Sequence, residues 1–167
     1  LRQLTRGALA EMRALLLELR PTALTQARLP ELLKQLSEAI TGRARLPVEL
    51  SIVGDFELHP DVKVAFYRIT QESLNNVVKY SRATRVEIRI QLDCCSAHLE
   101  IKDNGTGFDT SSLKPTSLGM RIMRERAEAI NATFEVVSSP GAGTTVRIDW
   151  NDDDNVPPSI LPNRGKS

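Results

Sequence analysis

The sequence is poor in aromatic residues, in cysteine and in net charge, and each shortage excludes something. Aromatic residues make up 4% of its 167 positions, so aliphatic side chains must fill the core that a chain of this length can bury. With 22 Lys+Arg against 21 Asp+Glu the formal charge is +1. That balance gives no long-range pull on DNA or an anionic bilayer, and any anion site must be local. The two cysteines, Cys94 and Cys95, are neighbours. Adjacent strand residues point to opposite faces, which argues against a disulfide between them and fits a reduced, cytosolic setting. No apolar run approaches the roughly 20 residues needed to span a bilayer. Leu1 opens inside a helical pattern rather than a signal sequence, so the chain reads as a piece of a longer protein.

What is present is hydrophobic periodicity of two kinds. Leu1, Leu4, Ala8, Met12, Leu15 and Leu19 recur at three- and four-residue spacings, predicting an amphipathic helix with a narrow seam that ends near Pro21. A second helix is predicted over Pro30 to Arg43, and a long one from Pro60 to Ser81. Alternation predicts strands at 48–52, Arg85 to Leu92, Ala97 to Lys102, Thr133 to Ser138 and Thr144 to Trp150. A further helix is expected from Met120 to Ile130. The tail, Asn151 to Ser167, combines an acidic run with prolines and reads as disordered. Helices interspersed with antiparallel hairpins predict an α+β fold, a two-layer α/β sandwich with a mixed sheet covered on one face by helices and preceded by the amphipathic helix. The expected division is 1–21, 22–150 and 151–167.

Four clusters carry chemistry. In the long helix Glu72 and Asn76 lie one turn apart on one face, with Lys79 further along the edge. An acid, an amide oxygen and a cation so aligned could hold a hydrated magnesium ion and a phosphate; a solvated polar face explains the same residues. Asp103-Asn104-Gly105-Thr106-Gly107-Phe108 follows an apolar strand, and its glycines allow a tight turn and close approach of a planar ligand. Asp103 at the strand end suits the exocyclic amine of adenine, whereas guanine would set an oxygen against it; a plain Asp-Gly turn is the alternative. Ser117-Leu118-Gly119-Met120 places a glycine at the head of a helix, where free N–H groups favour anions, and Arg121 could assist. Arg124 and Arg126 read as salt-bridging surface residues. Gly143-Thr144 opens the last strand, where Thr144 could reach a base edge directly or through water.

Together these motifs resemble the four boxes of the GHKL ATPases, the family of histidine kinases, gyrase and MutL. The strings at 71–80, 103–109 and 123–127, with Glu-Leu-Arg-Pro at 18–21, are similar to sensor histidine kinases of the NarL-partner class. The resemblance covers about residues 1–150. It implies a Bergerat-type fold, with 1–21 the end of the second dimerisation helix and 22–150 the catalytic ATP-binding domain. It implies ATP and Mg2+ as cofactors: Asn76 and Glu72 at the metal, Glu72 also orienting or activating a nearby group, and Lys79 at phosphate. Asp103 would bind the adenine amine, Gly105 and Gly107 would fold the loop over the base, Gly119 and Met120 would shape the phosphate lid, and Thr144 would sit near the base. Ser117 and Tyr80 stand where the family often has Gly and His.

The implied reaction is donation of the ATP γ-phosphoryl group to a histidine on an upstream helix, then to a response regulator with a DNA-binding output. The partners implied are a second copy of the chain, through the dimerisation helices, and that regulator. No direct nucleic-acid contact is expected, and membrane attachment would come only through other parts of a cytoplasmic kinase. His59 and His98 lie in a loop and a strand and read as surface residues, so this chain is expected to bind ATP without phosphorylating itself. The alternatives are an anti-sigma-factor serine kinase of the same superfamily and a nucleotide-free interaction module.

Overall fold

A computed structural model describes residues 24, 26–110 and 118–152. The helix expected over Leu1 to Arg20, residues 111–117 and the tail beyond Asp152 lie outside the described residues.

Helix α1, Leu29–Ala44, starts with Pro30 in its first turn and buries Leu32, Leu33, Leu36 and Ile40 along one stripe. Strand β1, Val48–Val53, follows. Helix α2, Pro60–Asn76, is opened by His59, whose ring accepts the Asp61 N–H at 3.4 Å. The expected single helix to Ser81 instead changes character, because Val77–Ser81 is a π-helical turn ended by Arg82 at φ 53°. A π turn holds an extra residue, and such turns occur frequently at functional sites. Strands β2, Val86–Asp93, and β3, Ser96–Asp103, make a hairpin closed at Cys94-Cys95. Helix α3, Leu118–Glu128, precedes β4, Thr133–Ser138, and β5, Thr144–Asn151. Asn151, read from sequence as the start of the tail, is the last residue of β5.

The sheet order is β1-β2-β3-β5-β4, with β1 parallel to β2 and the other pairs antiparallel. This is the mixed-sheet, two-layer α+β architecture expected from the sequence. Alternation sorts each strand between two environments. Val86, Ile88, Ile90 and Leu92 of β2 and Ala97, Leu99 and Ile101 of β3 are buried, packed in one core with Phe66, Ile69 and Leu74 of α2.

The opposite face carries an ionic row. Arg89 bonds Glu87 at 3.0 Å and approaches Glu100 at 3.5 Å, while Arg147 bonds Glu100 at 2.9 Å and Glu135 at 3.2 Å, crossing β2, β3, β5 and β4. His98 is part of the next row, paired with Asp149. Among the described residues Arg124 makes no salt bridge of the kind expected from sequence; its guanidinium lies 5.4 Å from the Phe134 ring centroid. A flat cation over an aromatic face is attracted by the ring quadrupole.

The two faces have different energetic weight. Leu99→Ala, which empties a fully buried position, is expected to lower unfolding free energy by about 2–5 kcal/mol. Arg147→Ala is expected to cost at most about 1 kcal/mol, shrinking as salt is added. Urea unfolding at two ionic strengths measures both.

Candidate functional site

Strand β3 ends on Asp103, and the period that buries Ala97, Leu99 and Ile101 also turns this carboxylate inward, where it is 4% exposed. Its Oδ1 accepts the Gly105 N–H at 2.7 Å, and Thr144, its cross-strand neighbour on β5, donates from both its backbone and its hydroxyl. Burial raises the Asp103 pKa above the ordinary carboxylate value, and these hydrogen bonds oppose the rise without cancelling it. A carboxylate has about four acceptor positions, so capacity remains for a ligand donor.

The loop after Asp103 is held at both ends. Thr106 donates its N–H to the Ser81 carbonyl at 2.7 Å, tying the loop to the π turn. Its carbonyl accepts the Gly141 N–H at 2.6 Å, tying it to the β4–β5 turn. Asn104 Oδ1 receives the Thr84 and Arg85 N–H groups at 2.9 and 3.1 Å, and Ser138 Oγ receives the Phe108 N–H at 3.0 Å. Such a path leaves no space for two side chains. A Cβ on Gly105 would lie 2.2 Å from the Ser81 carbonyl oxygen; one on Gly107, at φ +56°, would lie 2.1 Å from that of Ser139.

A cavity of about 510 Å³ opens beside this loop, within the range of small-molecule sites. Its apolar lining includes Val77, Ile101, Met120, Met123 and Val146; its polar groups include Glu72, Asn76, Lys79, Asp103 and Thr144. Gly107 and Gly119 also line it, whereas Gly105 packs behind the wall against Ser81. Gly119 sits so close to the α2 side chains that a Cβ there would come 2.4 Å from Glu72 Oε1 and 3.6 Å from Asn76 Nδ2. The residues singled out on four separate segments thus converge on one space. Arg121 pairs with Glu125 at 3.5 Å and is not among the lining residues.

Sequence reasoning missed Ser81, Ser138 and Met123. Ser81 Oγ donates to the Val77 carbonyl at 2.9 Å and accepts the Ala83 N–H at 3.0 Å, fixing the π turn whose carbonyl holds the loop. Ser138 bonds the Gly143 carbonyl at 2.9 Å and the Thr144 hydroxyl at 3.1 Å, joining the last hairpin to Asp103's partner. Met123 is 1% exposed and receives the Ser73 hydroxyl at 3.3 Å. Its spacing of three from Met120 was the available signal, since such residues share a helix face.

The domain is therefore a two-layer α+β unit with a ligand cavity at the Asp103 end of its sheet. Residues 61–154 match the family "Histidine kinase-, DNA gyrase B-, and HSP90-like ATPase". The chain is 36% identical over 149 residues to the sensor protein VraS of Staphylococcus epidermidis, covering 89% of this chain and 42% of VraS. Its fold is similar to the histidine kinase domain of a blue-light activated histidine kinase from Erythrobacter litoralis (TM-score 0.62, 20% identity, 78% of this chain and 64% of that one). It is similar also to full-length ShkA in complex with AMPPNP (TM-score 0.62, 16% identity, 74% and 30%). The chain belongs to the histidine kinase-, gyrase B- and HSP90-like ATPase family, and the resemblance to the catalytic domain of a sensor histidine kinase is borne out. It spans less than half the length of the VraS relatives it matches.

Two outcomes test the site's construction. Gly107→Ala, strained at positive φ and clashing with a carbonyl, is expected to destabilise by about 1–3 kcal/mol in thermal unfolding. Asp103→Asn is expected to hold or raise stability at neutral pH. For a carboxyl whose pKa is raised by folding, the cost is absent while it is protonated and sets in as pH rises from the unfolded value through the folded one. The stability gap between variant and parent should therefore open with rising pH across that window.

Proposed function

We propose that this domain binds ATP with magnesium in the cavity and that the whole protein transfers the γ-phosphoryl group to a histidine on an upstream dimerisation helix, for relay to a response regulator. The observation carrying this reading is that Asp103 and Thr144, at one side of the cavity lining, share it with Glu72, Asn76 and Lys79 in a chain of this ATPase family. A carboxylate fixed by Gly105 and Thr144 accepts the amine of adenine, and the apolar lining takes the faces of the base. Guanine would set a carbonyl oxygen against Asp103, leaving a desolvated charge without its donor.

The oxygen donors of Asn76 and Glu72 suit a hard cation, which is the fit magnesium requires. Magnesium held there neutralises and orients the phosphates. Lys79 adds a cation at the same rim, and Gly119 keeps the head of α3 open by placing no side chain against Glu72 and Asn76. Glu72 holds a proton-accepting oxygen beside this group, a positioning role suited to a reaction that depends on alignment and charge neutralisation.

The chain's two histidines are otherwise engaged. His59 caps α2 and His98 pairs with Asp149 on the far face of the sheet, and neither lines the cavity. The acceptor is accordingly supplied by another segment of the full protein, which we place in the cytoplasm as a homodimer. No helix among the described residues is long and apolar enough to cross a membrane. The match to sensor proteins favours this reading over a serine kinase of the same superfamily, and the complete polar set favours it over a nucleotide-free module.

Calorimetric titration of the chain with AMPPNP and magnesium tests the proposal. Binding should be lost or weakened about 10–100-fold in Asp103→Asn, the scale of one charged hydrogen bond. Asn76→Ala should lose most of the magnesium dependence. Equal affinity for the guanine analogue would refute the assignment of Asp103. Incubation with labelled ATP should leave both histidines unphosphorylated.

A further inference from the structure

The function above makes no use of the β2–β3 turn. Asp93 pairs with Ser96, so Cys94 and Cys95 alone form the two-residue tip. Both are free; Cys94 is exposed and Cys95 partly so. We propose that this tip is a vicinal-dithiol site for trivalent organoarsenicals, binding one arsenic atom through both sulfurs.

Three observations select this ligand class. The two sulfurs stand on adjacent residues of a two-residue turn, so one inserted atom closes a small chelate ring. A direct disulfide is disfavoured: neighbouring Cα atoms are about 3.8 Å apart across a trans peptide, short of the roughly 4.4–6.8 Å that disulfides span. An atom inserted between the sulfurs removes that conflict. Among the described residues no group of three or more His, Cys, Asp or Glu side chains is placed to hold a metal, so the site lacks the four protein ligands of structural zinc. Arsenic carrying its own organic substituent needs only two sulfurs.

The hydrogen bond to Cys94, with burial and the nearby Asp152 carboxylate, raises the Cys95 pKa. This favours the thiol over the thiolate that alkylation and oxidation require. Capture of phenylarsonous acid proceeds by condensation. Two As–O bonds break and two As–S bonds form; the two thiol protons leave with the two hydroxides as water, and no oxidation state changes. The site is remote from the cavity, because β3 runs eight residues from the turn to Asp103, about 25 Å at roughly 3.3 Å per residue.

The experiment is titration of the full 167-residue chain with phenylarsine oxide, read by intact mass under native conditions. One phenylarsenic per chain is expected, displaced by 2,3-dimercaptopropanol but not by an equal concentration of thiol groups as a monothiol. Cys94→Ser and Cys95→Ser should each weaken binding at least about tenfold, because each removes the chelate's effective-concentration advantage. AMPPNP affinity should be the same with and without arsenic. Undiminished binding in either serine variant, ready displacement by the monothiol, or no adduct at all overturns the proposal. Loss of AMPPNP affinity on loading would place the arsenic in the cavity and overturn it equally. Because its readout is mass, failure here leaves the nucleotide reading intact, and failure of that reading leaves this one testable.

Discussion

A buried carboxylate at the end of a central strand is the constraint from which the site's form follows. Taking Asp103 out of water disfavours its charged form, and it is placed there by the same alternation that buries Leu99 and Ile101. Compensation comes from fixed donors, the Gly105 N–H and both donors of Thr144. Supplying the first bends the chain back immediately after β3; supplying the second requires β5 beside β3 in the observed register. The loop, its glycines and the last hairpin are thus consequences of satisfying one acidic group.

The π turn couples this loop to α2. Ser81 is both the end of the widened turn and the acceptor for Thr106, so the helix that presents Glu72 and Asn76 is tied by hydrogen bonds to the segment that presents Asp103. Side chains from distant parts of the sequence then face one cavity. The charged face of the sheet has no part in this. Its Arg and Glu rows satisfy one another in water, and the far end of the hairpin is free to carry the cysteine pair.

Much of this was legible in the sequence. Strand alternation gave the buried and exposed faces of β2 and β3, and helical spacing placed Glu72 and Asn76 together because four residues make about one turn in the α-helical part of α2. The motifs found their places because each is local: a strand-end Asp, glycines two apart, a glycine heading a helix, a Gly-Thr opening a strand. The π turn was not legible, since Val77 to Ser81 has the same apolar spacing as a regular helix and the change depends on contacts made later in the chain. Ser81 and Ser138 were overlooked for a similar reason, as a serine's role as a bridge depends on which backbone groups tertiary folding brings to it. Arg124 was misread because charge spacing along α3 says nothing about Phe134 on the neighbouring strand.

The most direct test is a carbon-13 NMR titration of the Asp103 carboxyl in the free chain and with AMPPNP and magnesium bound. The expected result is a pKa above the ordinary carboxylate value in the free protein, set by burial, and a clear fall on binding as the adenine amine adds a donor to the charged form. A carboxyl that titrates at the ordinary value, or whose titration is unmoved by saturating nucleotide, would contradict it.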